Sequence, residues 1–205
     1  MVGSGRPPHG ASGAVEIRRA GPGDGDALGA IQSAAWQAAY APFFQPGFAA
    51  RAVADRRTRW HRRVAEGTGP EARAGAGAGV GPGAGVGSGA GAATTLLAVV
   101  DGRPLALSVT LPSADRPDFA EIVSFYAHPD GWGTGVAAAL MDETLRGPRA
   151  DGYAGVHLWT LRDTPQSRRF YVKCGFAECG TARAFDFGEG NLLDQVEYAR
   201  PLAAD

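Results

Sequence analysis

Strand-like alternation and helical spacing replace one another several times along this chain. An apolar-polar run at Val15–Arg18 predicts a first strand, and the GPGDGD turn after it offers Asp24 or Asp26 as a helix cap. Leu28, Ile31 and Ala35 then recur at helical spacing, with Trp36 and Tyr40 four apart on a neighbouring stripe, until Pro42 and Pro46 stop the helix. A second helix is predicted from about Phe48 to Val64, with Val53, Trp60 and Val64 inward and many arginines outward. Two apolar runs, Thr95–Val100 and Pro104–Leu111, flank Asp101-Gly102, a β-hairpin signal. The strand Glu121–Ala127, helix Val136–Arg146, strand Val156–Leu161 and helix Pro165–Lys173 follow, then strands near Ala177–Phe187 and Gln195–Leu202. This order predicts an α+β domain around a mixed sheet and not a regular doubly wound fold.

Composition changes that picture at two places. Residues 1–13 are rich in Gly, Pro and Ser and predict a disordered tail. From Gly75 to Gly91 every odd position is glycine, inside a stretch at about 67–94 that has little to bury. It is expected as a disordered Gly/Ala-rich insertion in a single domain spanning 14–202. The hydrophobic fraction of 44% suffices for a core, and a net charge of −1 gives no general attraction to nucleic acid or anionic membrane. Cys174 and Cys179 match no zinc spacing and are expected as thiols, with no metal. No apolar run of signal-peptide or membrane-span length is present, so a cytoplasmic location is expected.

The segment Glu121–Asp142, EIVSFYAHPDGWGTGVAAALMD, carries the candidate chemistry. A strand, a Pro break, a glycine loop and a helix expose backbone N–H groups at a helix N-terminus, a site for phosphate. Gly133-Thr134-Gly135-Val136-Ala137-Ala138 fits G-x-G-x-x-A, but His128–Trp132 separates it from the strand and no acidic residue ends the next strand, which argues against a dinucleotide. No lysine follows the glycines, as a nucleoside triphosphate loop requires.

With Tyr126-Ala127-His128-Pro129, Trp132–Ala137, and the downstream Arg168-Arg169-Phe170-Tyr171 and Cys174-Gly175-Phe176, the chain resembles the GNAT superfamily of acyl-CoA-dependent N-acyltransferases. Gly135 and Ala137 match the loop pattern Arg/Gln-x-x-Gly-x-Gly/Ala, and Trp132 stands where Arg or Gln is usual. Thr164 replaces the family's Asn, and Ser167 its Ala, in the second block. The resemblance implies a GNAT-like domain, with a mostly antiparallel sheet of six to seven strands and about four helices. It also implies acetyl-CoA as co-substrate, held by Phe125, Tyr126, Ala127, the Trp132–Ala138 loop (Trp132, Gly133, Thr134, Gly135, Val136, Ala137, Ala138) and Thr164. The N–H of Ala127 would polarise the thioester carbonyl. Tyr171 falls where the family places the acid that protonates the departing sulfur, although a half-buried helical tyrosine would look the same. Glu121 is the candidate base, expected on one strand face with Val123 and Phe125; an exposed strand-edge Glu is the alternative. His157 is a further option, and His128 is expected to shape the turn.

The family's acceptor pocket lies at the first two helices and last strands, here with Trp36, Tyr40, Phe43 and Phe44, though Trp36 fits a core role equally well. The acceptor is an amine of a small molecule or protein, not specified by sequence. Relatives often form homodimers, and no interface is legible. Two activities fit: N-acetyl transfer, or a catalytically weak acyl-CoA-binding or sensing module.

Overall fold

The computed structural model describes residues 14–65 and 93–202, with the backbone alone at 61–65. Among the described residues, seven strands form one sheet in the order β1-β2-β3-β4-β5-β7-β6. They are β1 (Val15–Arg19), β2 (Thr94–Val100), β3 (Arg103–Pro112), β4 (Phe119–Ala127), β5 (Gly155–Leu161), β6 (Ala177–Asp186) and β7 (Leu192–Pro201). Four helices flank it: α1 (Gly25–Ala39), α2 (Pro46–Ala65), α3 (Val136–Ala150) and α4 (Pro165–Lys173). The α+β class, the mixed and mainly antiparallel sheet and the helix complement match the expectation. The predicted tail at 1–13 and most of the 67–94 insertion lie outside the described residues, and β2 begins at Thr94.

The apolar runs of β2 and β3 are continuous because both faces are covered. Leu97 and Val99 join Leu28 and Ile31 of α1 on one face, while Leu96 and Ala98 join Val136 and Leu140 of α3 on the other. Asp101 and Gly102 both take positive φ, 50° and 74°, the backbone that a two-residue hairpin requires. Asp24 precedes α1 but does not cap it: its carboxylate accepts from Gly21 N–H (2.7 Å) and pairs with Arg18. α3 runs past the predicted Arg146 to Ala150, carrying Pro148 in its last turn. In α2 Arg51 and Arg57 face outward as expected, while the inward face includes one arginine, Arg56, only 4% exposed.

Two features of β4 position the site. Its only parallel neighbour is β5, and the two pair only at Phe119–Gly155, Ala120–Val156 and Glu121–His157. From Ile122 onward β4 has parted from β5, which stays paired with β7 along its length. Second, Val109 of β3 faces Ser124 while Thr110 faces Ile122, so β4 carries one extra residue, a β-bulge at Val123.

Candidate active site

The bulge decides which side chains reach which face. Glu121 pairs with Leu111, two residues from Val109 of the α1-side core, and Val123 packs against that same core. Phe125 instead packs on the α3/α4 side, 5.4 Å from the Phe170 ring and 6.5 Å from Tyr171. The expectation that Glu121, Val123 and Phe125 share a face is therefore corrected: the extra residue inverts the alternation between Val123 and Phe125.

At the free end of β4, His128 N–H bonds to Leu105 of β3 at 2.8 Å. Successive strand residues present their amides to opposite edges, so the amides of Phe125 and Ala127 face the gap that opens towards β5. The chain then turns through Pro129–Gly131, with His128 Nδ1 accepting from Asp130 N–H at 3.2 Å. Gly133 and Gly135 adopt φ of 77° and 91°, the left-handed region that disfavours side chains. A Cβ on either would meet nothing within 4 Å, so the loop's outer side is open. The N–H groups that begin α3 have no intrahelical acceptor and carry the positive end of the helix dipole. Thr134 turns inward, its hydroxyl donating to Gly131 O at 2.8 Å, and Val136 is fully buried.

Gap and loop together form a cleft of about 590 Å³ between α1, β4, the glycine loop and α4. Phe125, Tyr126, Ala127, Trp132, Gly133, Gly135, Ala137, Ala138 and Thr164 line it, as do Tyr171, Tyr40 and Phe43. Thr134, Val136, Glu121, Trp36 and Phe44 are not among its walls. Arg169 and Phe170 of α4, which entered the sequence reading only as part of a motif, also face the cleft, two and one residues before Tyr171, as does the small face of α1 at Ala35, Ala38 and Ala39.

Tyr171 sits among Phe125, Phe170, Phe176 and Tyr198, with ring centroids 5.6–6.5 Å away. Burial, then the neighbouring Tyr126, pushes its phenol well above the ordinary tyrosine range, so it stays protonated. Thr164 donates its hydroxyl to Leu161 O at 2.8 Å, which leaves that oxygen as an acceptor only. Glu121 lies at the fork where β4 and β5 part, within electrostatic reach of Arg183. Beside it, His157 is buried, Nε2 at 2.9 Å from Ser113 Oγ and Nδ1 at 3.1 Å from Glu197 Oε1, without hydrogen-bond alignment at Nδ1. Burial outweighs Glu197 and holds the imidazole below its usual pKa. Trp36 is fully buried, stacked on Tyr40 and Phe44 and covered by Arg56.

Known proteins share this fold. A family model described as the acetyltransferase (GNAT) family matches residues 86–176. Uncharacterized N-acetyltransferases of Mycobacterium tuberculosis (strain ATCC 25618 / H37Rv) and Mycobacterium bovis are 35% identical over 101 residues, 49% of this chain and 63% of theirs. The chain thus spans less than two thirds of those relatives. A GCN5-related N-acetyltransferase from Rhodopseudomonas palustris superposes with a TM-score of 0.64 at 18% identity, covering 95% of this chain and 99% of that one. The PaiA N-acetyltransferase of Thermoplasma acidophilum, solved with coenzyme A, gives 0.63 at 15% identity over 92% and 99%.

Proposed function

We propose that this chain, which carries a GNAT acetyltransferase domain, transfers the acetyl group of acetyl-CoA to a primary amine by direct attack. The observation that carries the reading is the parting of β4 from β5 beside an open glycine turn. It leaves strand amides without a strand partner next to a helix N-terminus, which suits an extended amide-bearing arm that ends in a pyrophosphate.

The pyrophosphate is held by the N–H groups of Gly133, Gly135, Ala137 and Ala138, since those of Thr134 and Val136 donate to Gly131 O and Thr134 Oγ1, and the pantetheine arm by the amides of Phe125 and Ala127. As the amine attacks the thioester carbon, the carbonyl oxygen gains charge and the Ala127 N–H stabilises it. Collapse of the tetrahedral intermediate breaks the C–S bond, and the leaving thiolate takes the proton of Tyr171. Burial keeps the phenol protonated, so Tyr171 holds a proton to give across the neutral range. Glu121, at the fork, takes the proton lost by the amine, through water. Tyr40 and Phe43 form the acceptor's side of the cleft.

The test is thiol release from acetyl-CoA across a panel of amines. Turnover that falls about 10²–10⁴-fold in Tyr171→Phe, with CoA affinity retained, supports the reading. Tight CoA binding with no turnover of any amine would sink it in favour of a binding module.

A further inference from the structure

Arg56 is a buried cation that makes no ion pair among the described residues. Its guanidinium lies 4.3 Å over the Trp36 ring, and Nη1 donates to Ala52 O, one turn earlier in α2, at 2.9 Å. Among the described residues no other hydrogen bond to it is made and no carboxylate reaches ion-pair distance; Asp55, next in sequence, pairs with Arg59. The phenols that interact with its charge are Tyr40 and Tyr126, and both line the cleft. The indole beneath it also has a buried Nε1–H without an acceptor. The indole donor and the rest of the guanidinium therefore stand behind Tyr40 on the α1 side of the cleft, without an acceptor among the described residues.

An unpaired buried charge is unfavourable, and an apolar side chain of similar volume would fold at least as well. Its neighbours are flat and apolar: Trp36, Tyr40 and Phe44 stack, and Phe187 packs on Tyr40 and Phe44. Guanidinium is the side chain best matched to a two-oxygen anion.

We infer that Arg56 is the specificity residue of the acceptor pocket, and that the acceptor is a primary amine carrying a carboxylate on an apolar or flat frame. The carboxylate enters between Tyr40 and Tyr126 to meet Arg56, while the amine faces the split of β4 and β5. The inference rests on the acetyl-transfer reading for the reaction, but not for the binding.

The test uses matched amines on three frames, phenylalanine, leucine and tryptophan, each with its carboxamide and its decarboxylated amine. The wild-type kcat/KM is expected to favour the carboxylate about tenfold or more on at least one frame. Arg56→Met should bring the ratio close to one without changing CoA affinity, and Arg56→Lys should keep part of it. A wild-type ratio near one on all frames, or a ratio unchanged in Arg56→Met, overturns the inference. Should no amine react, the transfer reading fails by itself, and binding decides. In calorimetry on CoA-loaded protein, N-acetylphenylalanine, N-acetylleucine or N-acetyltryptophan must bind more tightly than its amide, and lose that advantage in Arg56→Met. Equal or undetectable binding overturns the assignment. Arg56→Met should melt no lower than wild type without ligand, as expected for loss of an unpaired buried charge.

Discussion

The indole Nε1 of Trp132 donates to the carbonyl of Ala127 across 2.9 Å, which fastens the glycine turn to the end of β4. Ala127 O lies on the edge that β5 has already left, so it would otherwise have no strand donor. The tryptophan thus serves as a clasp within the protein. Trp132→Phe keeps the ring and removes the donor. A loss of about 1 kcal/mol in urea unfolding is expected. Acetyl-CoA binding, measured by calorimetry, should weaken several-fold while kcat changes little. Unaltered stability and affinity would show that the bond anchors nothing.

The punctuation of the chain made much of this site legible. Pro129 and the glycines marked the loop, and Asp101-Gly102 marked the hairpin; Tyr171 lines the same cleft as the loop. The bulge was not legible, because an extra residue in an apolar strand leaves no mark on composition, yet it moves Phe125 to the face opposite Glu121. Arg56 was also hidden. One inward arginine among several on α2 differs from the rest only by what α1 places against it, here Trp36. Tyr40 and Phe43 reached the cleft while Trp36 and Phe44 packed behind it, a division set by tertiary packing and not by residue type.

Tyr171 yields a pH prediction with a definite sign. Its folded pKa is raised by burial, so it remains an acid while the acceptor amine deprotonates. The rate should climb with pH and show no falling limb up to about pH 10, the range where an ordinary phenol ionises. A limb with its midpoint below that value would mean that Tyr171 is not the proton donor, or is not buried in the working enzyme. Stability follows the same linkage. The raised pKa contributes fully below the unfolded value of about 10 and is lost as pH rises towards the folded one. Tyr171→Phe should therefore flatten the alkaline decline of the urea midpoint.

His157 predicts the opposite limb. Its pKa is lowered, first by burial and then by the Arg116 charge, against the pull of Glu197 and Asp115. A lowered pKa contributes stability above the unfolded value of about 6.5, and that contribution is lost as pH falls, because only the unfolded chain accepts the proton readily. His157→Gln should be less stable at pH 8 by about 1 kcal/mol, from the bond to Ser113. The gap from wild type should narrow between pH 6.5 and 5. A difference that stays constant over that range would mean that His157 is charged in the fold, or does not titrate.

Glu121 separates the base from the scaffold. It sits at the last paired position of β4 and β5, opposite His157, and it is not among the cleft's walls. If it takes the amine proton through water, Glu121→Gln should lower kcat about 10²-fold or more near neutral pH. Rates should recover at a pH where the amine is already deprotonated, and acetyl-CoA affinity should be unchanged. A uniform fall at every pH would instead mark Glu121 as a residue that holds the fork.

Gly29 tests whether the α1–α2 pair positions the acceptor wall. It is buried where the helices touch, and a Cβ there would run into the backbone carbonyl of Arg57. Backbone on both sides leaves no flexible side chain to yield, so Gly29→Ala must push the helices apart. Overpacking of this kind destabilises by about 1–3 kcal/mol. The displaced pair carries Ala35, Ala38, Ala39 and Tyr40 on the cleft side and Arg56 behind them. The β4 amides and the glycine loop belong to the sheet and α3. The acceptor KM should therefore rise while acetyl-CoA affinity holds, measured under conditions where the variant is folded by circular dichroism. Loss of CoA affinity with an unchanged acceptor KM would assign α1 and α2 to the wrong substrate.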